Sequence, residues 1–340
     1  MSITTRLDPA PVERFLKQRI DGLEGPLEII PISGGQSNPT FVLEFGNRRL
    51  VLRKRPDGEL LPSAHAVDRE YKVQRALQDG DVPVPRMHLL HMEPDIVGTA
   101  FYVMEHVDGR VFHDCALPDV PAAERAEMYR SAARTLARLH AVNVVEVGLS
   151  DFGRTGAYFA RQVARWHKQW HLSAVEPCPE IEAVAEWLTR NMPEGSGRVS
   201  IAHGDFRMGN LMFHPTEPHV VAVLDWELAT LGEPLADLAH FCAFTWHMEQ
   251  DEYGGLMDVD LAARALPNAA AFCGAYHAAS ERRDRIEAFH VLFAMFRNAA
   301  IFEGIAARAR SGNAAAANAR TVGRLGRILA RRAAEMLQSL

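Results

Sequence analysis

Two short polar stretches set the terms for this chain: HGDFRMGN at 203–210 and VLDWE at 223–227. They place Asp205, Asn210 and Asp225 in an order bounded by brief apolar runs, VSIA before, LMF between and VVAV ahead of the last. Apolar runs of that length beside turn residues read as short strands. Asp205 and Asn210 are therefore expected on a loop between two strands, and Asp225 at the end of the strand that follows. Either residue type alone would be ordinary turn chemistry, because Asp and Asn satisfy their own backbone in loops. All three in order favour a shared task, with one carboxylate able to take a proton and an amide and second carboxylate able to hold a hard divalent cation. Glu or Gln would carry the same oxygens a methylene too far.

The surroundings are those of an ordinary globular protein. The chain has 340 residues, 48% hydrophobic and 24% charged, enough for two packed lobes and too apolar for global disorder. Its net charge of -6, with acids and bases interspersed, argues against a dedicated nucleic-acid surface. The opening MSITTRLDPA lacks a basic-then-apolar signal pattern, and no stretch approaches the roughly 20 consecutive apolar residues of a membrane helix. A cytoplasmic protein without membrane partners is the expectation. Cys115, Cys178, Cys242 and Cys273 are far apart and form no CxxC pair, which suggests neither a disulfide framework nor a zinc site.

Periodicity divides the chain. Residues 27–107 read as strand-rich: TFVLEF alternates Phe41, Leu43 and Phe45 against Val42 and Glu44, GNRR turns the chain into RLVLR, and AFYVMEHV is a later strand. Between them, AHAVDREYKVQRAL spaces Val67, Tyr71, Gln74 and Leu77 as a helix would. From about 119 the pattern turns helical, with Met128, Ala132, Leu136 and Leu139 on one face behind Pro121. A short β section spanning RVSIAHGD, LMFH and HVVAVLDW interrupts it, and the last hundred residues are helical again, with slightly more arginine than acid. The fold class is therefore α+β, with a small β-rich lobe at 1–107, a larger mainly helical lobe at 108–340 and a hinge near 104–109. A cleft between such lobes is a usual ligand site.

An Asp followed five residues later by Asn, with a second Asp on the next hairpin, resembles the catalytic loop of kinases. With its HGDxxxxN loop and later Asp, the chain resembles the aminoglycoside phosphotransferase family over roughly residues 25–310. That resemblance implies a protein-kinase-like two-lobed fold and ATP-dependent transfer to a hydroxyl group of a small molecule. It implies Asp205 as catalytic base, and Asn210 and Asp225 as magnesium ligands. ISGGQSNPTF at 32–41 is neither a Walker loop nor GxGxxG, and taken alone it is a hairpin turn. Beside the catalytic loop, Ser33, Gly34, Gly35, Ser37 and Asn38 become candidates to meet the ATP phosphates. Strand alternation puts Leu50 and Leu52 on one face and Val51 and Arg53 on the other, so Arg53 takes the place where kinases keep a phosphate-binding Lys, while Lys54 points away. Glu70 is the matching ion-pair partner. Adenine would be read by backbone groups of Glu105 and Val107. Asp237 resembles a family position that braces the catalytic hairpin, and His203 would orient the loop by hydrogen bonding. His240, Cys242 and His247 fall on an apolar helical stretch and read as core packing, without metal-ligand spacing.

The acceptor is open, because this fold serves many alcohols. An aminoglycoside is a polycation and needs an acidic pocket, whereas the region beyond 240 is slightly Arg-rich. GRVFHDCALPD, HGDFRMGNLMF and LDWELATLGEPLADLA resemble the branch associated with acyl-CoA dehydrogenases, which implies a hydroxy acid or hydroxyacyl-CoA acceptor. Arg207 and Arg297 could meet an anionic acceptor, although surface charge or helix packing is the ordinary role of each. The rival readings are an aminoglycoside or amino-alcohol kinase, a nucleotide-binding pseudokinase, and a carboxylate-metal phosphohydrolase. A pseudoenzyme has no need to keep Asp205, Asn210 and Asp225 together, and a simple hydrolase needs no nucleotide lobe. Nothing in the sequence speaks to oligomeric state.

Overall fold

A computed structural model of the chain describes residues 7–32, 38–57, 66–194, 197, 199–310 and 322–340. Ser33, Gly34, Gly35 and Ser37 lie outside the described residues. The chain forms two compact units, Met1–Asp108 with Asp225–Glu227, and Gly109–Leu224 with Leu228–Leu340.

The first unit is built on a five-stranded antiparallel sheet. Strands β1 (Glu28–Pro31), β2 (Thr40–Glu44), β3 (Arg49–Lys54), β4 (Met87–His91) and β5 (Phe101–Glu105) lie in the order β1-β2-β3-β5-β4. The β2–β3 hairpin closes through the Phe45 amide donating to the Arg48 carbonyl at 2.9 Å. Period-two alternation drives Phe41, Leu43, Leu50, Leu52, Phe101 and Val103 to one face. Each such side chain contributes about 1.5–3 kcal/mol when buried. A one-residue slip would turn the whole set outward, so this pattern fixes the register.

That face is covered by a helix absent from the sequence expectation, α1 (Pro9–Lys17), which buries Val12, Phe15 and Leu16 against it. Asp8 caps α1 by accepting from the Ala10 amide at 3.1 Å, and proline opens its first turn. Only three core residues at i, i+3 and i+4 mark so short a helix, a signal too brief to stand out. The opposite face carries α2 (Val67–Leu77), and Val67 packs with Met87, Ala100 and Tyr102.

The second unit begins with β6 (Arg110–Val111) and α3 (Ala122–Ala141), followed by α4 (Tyr158–Ser173) and α5 (Pro179–Arg190). Three short strands follow, β7 (Ser200–Ala202), β8 (Leu211–Phe213) and β9 (Val220–Val223), then β10 (Thr230–Gly232). Helices α6 (Pro234–Trp246), α7 (Gln250–Tyr253), α8 (Ala269–Ala278), α9 (Ala288–Arg310) and α10 (Leu325–Gln338) complete it. The β section is two ribbons rather than one: β7 pairs with β10, and β8 lies between β6 and β9. TLG at 230–232 is too short and too Gly-bound to be legible as a partner strand.

The helical core gathers buried residues of α4, α5, α6, α9 and α10, among them Trp166, Trp170, Ile181, Phe244, Phe293 and Leu329. Helix α9 is long and apolar enough by composition to cross a membrane, although polar residues such as Arg297, Asn298 and Glu303 interrupt its apolar run. Its apolar stretch is 83% buried within the protein, as befits a central core helix.

Candidate active site

In the second unit the loop between β7 and β8 carries Asp205 and Asn210, and a 3-10 turn over Met208–Asn210 leads straight into β8. The asparagine amide nitrogen donates to the Asp205 backbone carbonyl at 2.8 Å and to its carboxylate Oδ2 at 2.7 Å. Both bonds use the nitrogen, so the amide oxygen is the atom left for a cation. The other carboxylate oxygen, Oδ1, lies 3.0 Å from His240 Nε2 on α6. His240 Nδ1 in turn faces the Asn298 amide nitrogen at 3.1 Å. With an amide N–H directed at Nδ1, the Nε2 proton points at Asp205. Arg207 Nε stands 3.4 Å from Oδ2. Partial burial pushes the Asp205 carboxyl up, but the Arg207 guanidinium and the His240 hydrogen bond outweigh it and hold the group well below the usual carboxylate range.

The loop backbone is tied down from the same helix. Asp237 accepts the His203 amide at 2.6 Å and the Gly204 amide at 2.8 Å, one with each oxygen. Its Oδ2 also lies 3.4 Å from His140 Nε2. His203 accepts the Asp205 amide through Nδ1 at 3.1 Å and donates from Nε2 to the Leu224 carbonyl at 3.0 Å. Gly204 has φ +82°, and a Cβ there would come within 2.6 Å of the Leu228 carbonyl oxygen, so only glycine fits the turn.

In the first unit a second cluster forms around Arg53. Its Nη2 donates to Asp225 Oδ1 at 2.8 Å, and its Nε lies 2.9 Å from Glu70 Oε2, close enough for an ion pair although not aligned as a hydrogen bond. Glu70, on α2, also accepts from the Tyr102 hydroxyl at 3.0 Å and from the buried Asn38 amide. Burial carries the Glu70 carboxyl up to about 7 against the pull of Arg53. Glu70 and Asp225 together keep Arg53 charged against the same burial. The two directions pull the pair opposite ways, toward a neutral glutamate and toward a paired cation. Arg53 has a second carboxylate, so it stays charged whichever state Glu70 adopts.

Lys54 is fully buried on the other side of β3, donating to Asp57 Oδ1 and the Val97 carbonyl, each at 2.9 Å. Asp225 is not in a strand: β9 stops at Val223, and Asp225 has φ 63°, a left-handed conformation that costs a non-glycine residue about 1–2 kcal/mol. Its side chain is 37% exposed. Glu105 ends β5 with its amide already donated to the Arg86 carbonyl at 2.8 Å, so its carbonyl is the backbone group left for a base, and Val107 is half-buried.

Two participants escaped the sequence reading. His240 reads as core packing because it sits in an apolar run, yet its ring is hydrogen-bonded to Asp205. The available signal was its spacing, one helical turn beyond Asp237 and on the same face. Asn298 lies in the middle of α9 and carries no local signal. Cys242 lies 3.8 Å from Cys273, and Arg297 is buried over the Trp166 ring, as helix packing requires.

Residues 28–289 match the APH family model, described as a phosphotransferase enzyme family. The human acyl-CoA dehydrogenase family member 11 is 44% identical over 243 residues, covering 70% of this chain and 31% of that protein. The mouse acyl-CoA dehydrogenase family member 10 is 38% identical over 318 residues, covering 92% of this chain and 30% of that protein. The chain thus spans about a third of the length of these relatives. Among solved structures, a candidate aminoglycoside phosphotransferase from Ralstonia eutropha is 39% identical, with a TM-score of 0.87 over 98% of this chain and 99% of that one. A thermostable mutant of aminoglycoside phosphotransferase APH(4)-Ia, solved with AMP-PNP and hygromycin B, shares the fold at 14% identity, with a TM-score of 0.62 over 95% of this chain and 98% of that one.

Proposed function

The chain belongs to the APH phosphotransferase enzyme family, and from that premise we propose that it moves the γ-phosphate of ATP, with Mg2+, to a hydroxyl of a small anionic molecule, a hydroxy acid or hydroxyacyl-CoA. The observation that carries this reading is the setting of Asp205: Oδ2 accepts from the Asn210 amide at 2.7 Å, Oδ1 lies 3.0 Å from His240 Nε2, and the Arg207 guanidinium stands 3.4 Å away, so both oxygens are held in place beside a cation.

An ionised carboxylate has about four acceptor sites, so Asp205 can receive an alcohol O–H while keeping its bonds to Asn210 and His240. Its depressed pKa makes it a poor base toward a free alcohol. Its role is therefore to orient the hydroxyl and to take the proton late, once the phosphorus–oxygen bond is forming. This suits phosphoryl transfer, whose loose transition state asks more of positioning than of prior deprotonation. Arg53 is assigned to the ATP phosphates, steadied by Glu70, and Asn38 supports that glutamate. The backbone of Glu105 and Val107 is assigned to adenine.

Asn210 and Asp225 offer an amide and a carboxylate oxygen, the hard donors that Mg2+ takes. When bound, the ion would neutralise charge on the triphosphate. The left-handed backbone at Asp225 fits a functional position, since such strain is kept where a side chain must be aimed.

Arg207 favours an anionic acceptor over a polycation, because it sets a guanidinium beside the reacting carboxylate. The relatives' acyl-CoA dehydrogenase names point to acyl chemistry for the same acceptor. The test is ADP release with a panel of hydroxy acids, their CoA thioesters and kanamycin. Turnover of the acids or thioesters supports the proposal; turnover of kanamycin alone would transfer it to aminoglycosides. ATP hydrolysis indifferent to every acceptor would indicate a phosphohydrolase.

A further inference from the structure

Helices α4 and α5, which carry no residue of either cluster, bring three ligand-type side chains to one point. His167 and His171 are four residues apart, hence on one face of α4, and Glu182 reaches toward them from the first turn of α5. His167 Nε2 lies 2.8 Å from Glu182 Oε2 and 3.1 Å from His171 Nε2. His171 Nε2 lies 3.5 Å from Glu182 Oε1. We propose that His167, His171 and Glu182 form a binding site for a first-row transition dication such as Zn2+, which clamps α4 to α5.

Hydrogen bonding alone is a poor account of the arrangement. An imidazole Nε2 carries one proton or one lone pair and can point at one partner. Here His167 Nε2 lies within 3.1 Å of both His171 Nε2 and Glu182 Oε2, two partners that one imidazole nitrogen cannot serve at once, and one ligand atom from each of the three residues lies within 4.8 Å of the other two. Zinc ligated at about 2.0–2.1 Å holds its donors about 3.3 Å apart across each edge of a tetrahedron. The 3.1 Å between the two imidazole nitrogens is close to that value, and the nitrogen–oxygen separations of 2.8 and 3.5 Å, to Oε2 and Oε1 of Glu182 respectively, stand on either side of it. Two imidazoles and a carboxylate are the N,N,O set that zinc accepts, with a fourth position left to water. The hard cation Mg2+ prefers oxygen alone, so this site and the nucleotide's ion would not compete.

The scaffold holds the ligands in place. Trp166 and Trp170 on α4, with Ile181 and Val184 on α5, are buried in one shared helical core, which fixes the two helices that carry the ligands. The ligands themselves are exposed to solvent, at 35%, 57% and 47% for His167, His171 and Glu182, so an ion can enter.

The experiment is a calorimetric Zn2+ titration of the untagged, chelator-treated full chain, beside His167→Ala/His171→Ala and Glu182→Gln. We expect the wild type to bind one more Zn2+ than the double variant. Glu182→Gln should weaken that site at least tenfold, and Zn2+ should raise the melting midpoint of the wild type but not of the double variant. Because the ligands are exposed, the variants should keep the wild-type rate of ADP release; if the double variant unfolds, Glu182→Gln decides. Equal zinc stoichiometry and affinity in wild type and Glu182→Gln would overturn the proposal, as would the absence of zinc binding to the wild type. Neither outcome bears on the acceptor proposed above.

Discussion

His240 donates from Nε2 to Asp205 Oδ1 across 3.0 Å, and Asn298 at 3.1 Å from Nδ1 sets the direction of that proton. Helices α6 and α9 thus aim a carboxylate that belongs to a loop. A hydrogen bond to a charged group is worth about 1.5–3 kcal/mol. The group's protonation should respond accordingly.

His240→Ala removes a donor to the ionised form of Asp205. Since that bond helps hold the carboxyl below its ordinary value, its loss should raise the pKa, and the acid limb of kcat/KM should move to higher pH. His240→Gln, which can still donate, should recover part of the shift. Identical acid limbs in wild type and His240→Ala would show that the contact plays no part in turnover.

Asp205→Ala takes away the orienting carboxylate itself. Removal of a general base typically costs about 10²–10⁴-fold in rate, so ADP release should fall by that order while ATP affinity, measured by calorimetry, stays within a few-fold. A parallel loss of ATP binding would place Asp205 in nucleotide recognition instead.

Asp237→Ala strands two buried backbone amides, those of His203 and Gly204. Each unsatisfied donor costs about 1–3 kcal/mol, so unfolding in urea should show a loss of about 2–6 kcal/mol. A change below about 0.5 kcal/mol, the usual scatter for surface substitutions, would mean that the bracing is dispensable.

Glu70 gives stability a pH dependence of the opposite sense from a paired surface acid. Its carboxyl rises from 4.5 to about 7 on folding, so between those values the folded protein holds a proton that the unfolded chain has released. Stability contributed here therefore declines as pH rises from about 4.5 to about 7 and levels off above. Glu70→Gln should flatten that slope, read from urea midpoints at about pH 5 and about pH 8. An unchanged slope would place the titration elsewhere.

The order Asp205, Asn210, Asp225 and the strand alternation of β2 and β3 were legible because both are local: a motif within a few residues, and a period of two. The α+β class and the kinase-like family followed from them. What stayed hidden was long-range. His240 touches Asp205 from 35 residues away, and Asn298 reaches His240 from a further 58, distances at which no spacing rule operates. The β7–β10 pairing joins two three-residue strands whose apolar content is too small to announce them. Asp225 lay beyond the strand rather than at its end, since a left-handed residue cannot continue the ladder.

One turn of α6 serves two purposes at once, since Asp237 grips the loop's main chain and His240 grips its working side chain. A slide or rotation of that helix would move the floor and the tool together, preserving their mutual alignment. Rigidity in the reactive loop is thus borrowed from a core element, and substitutions that loosen α6 against α9 should blunt catalysis without touching a reacting group.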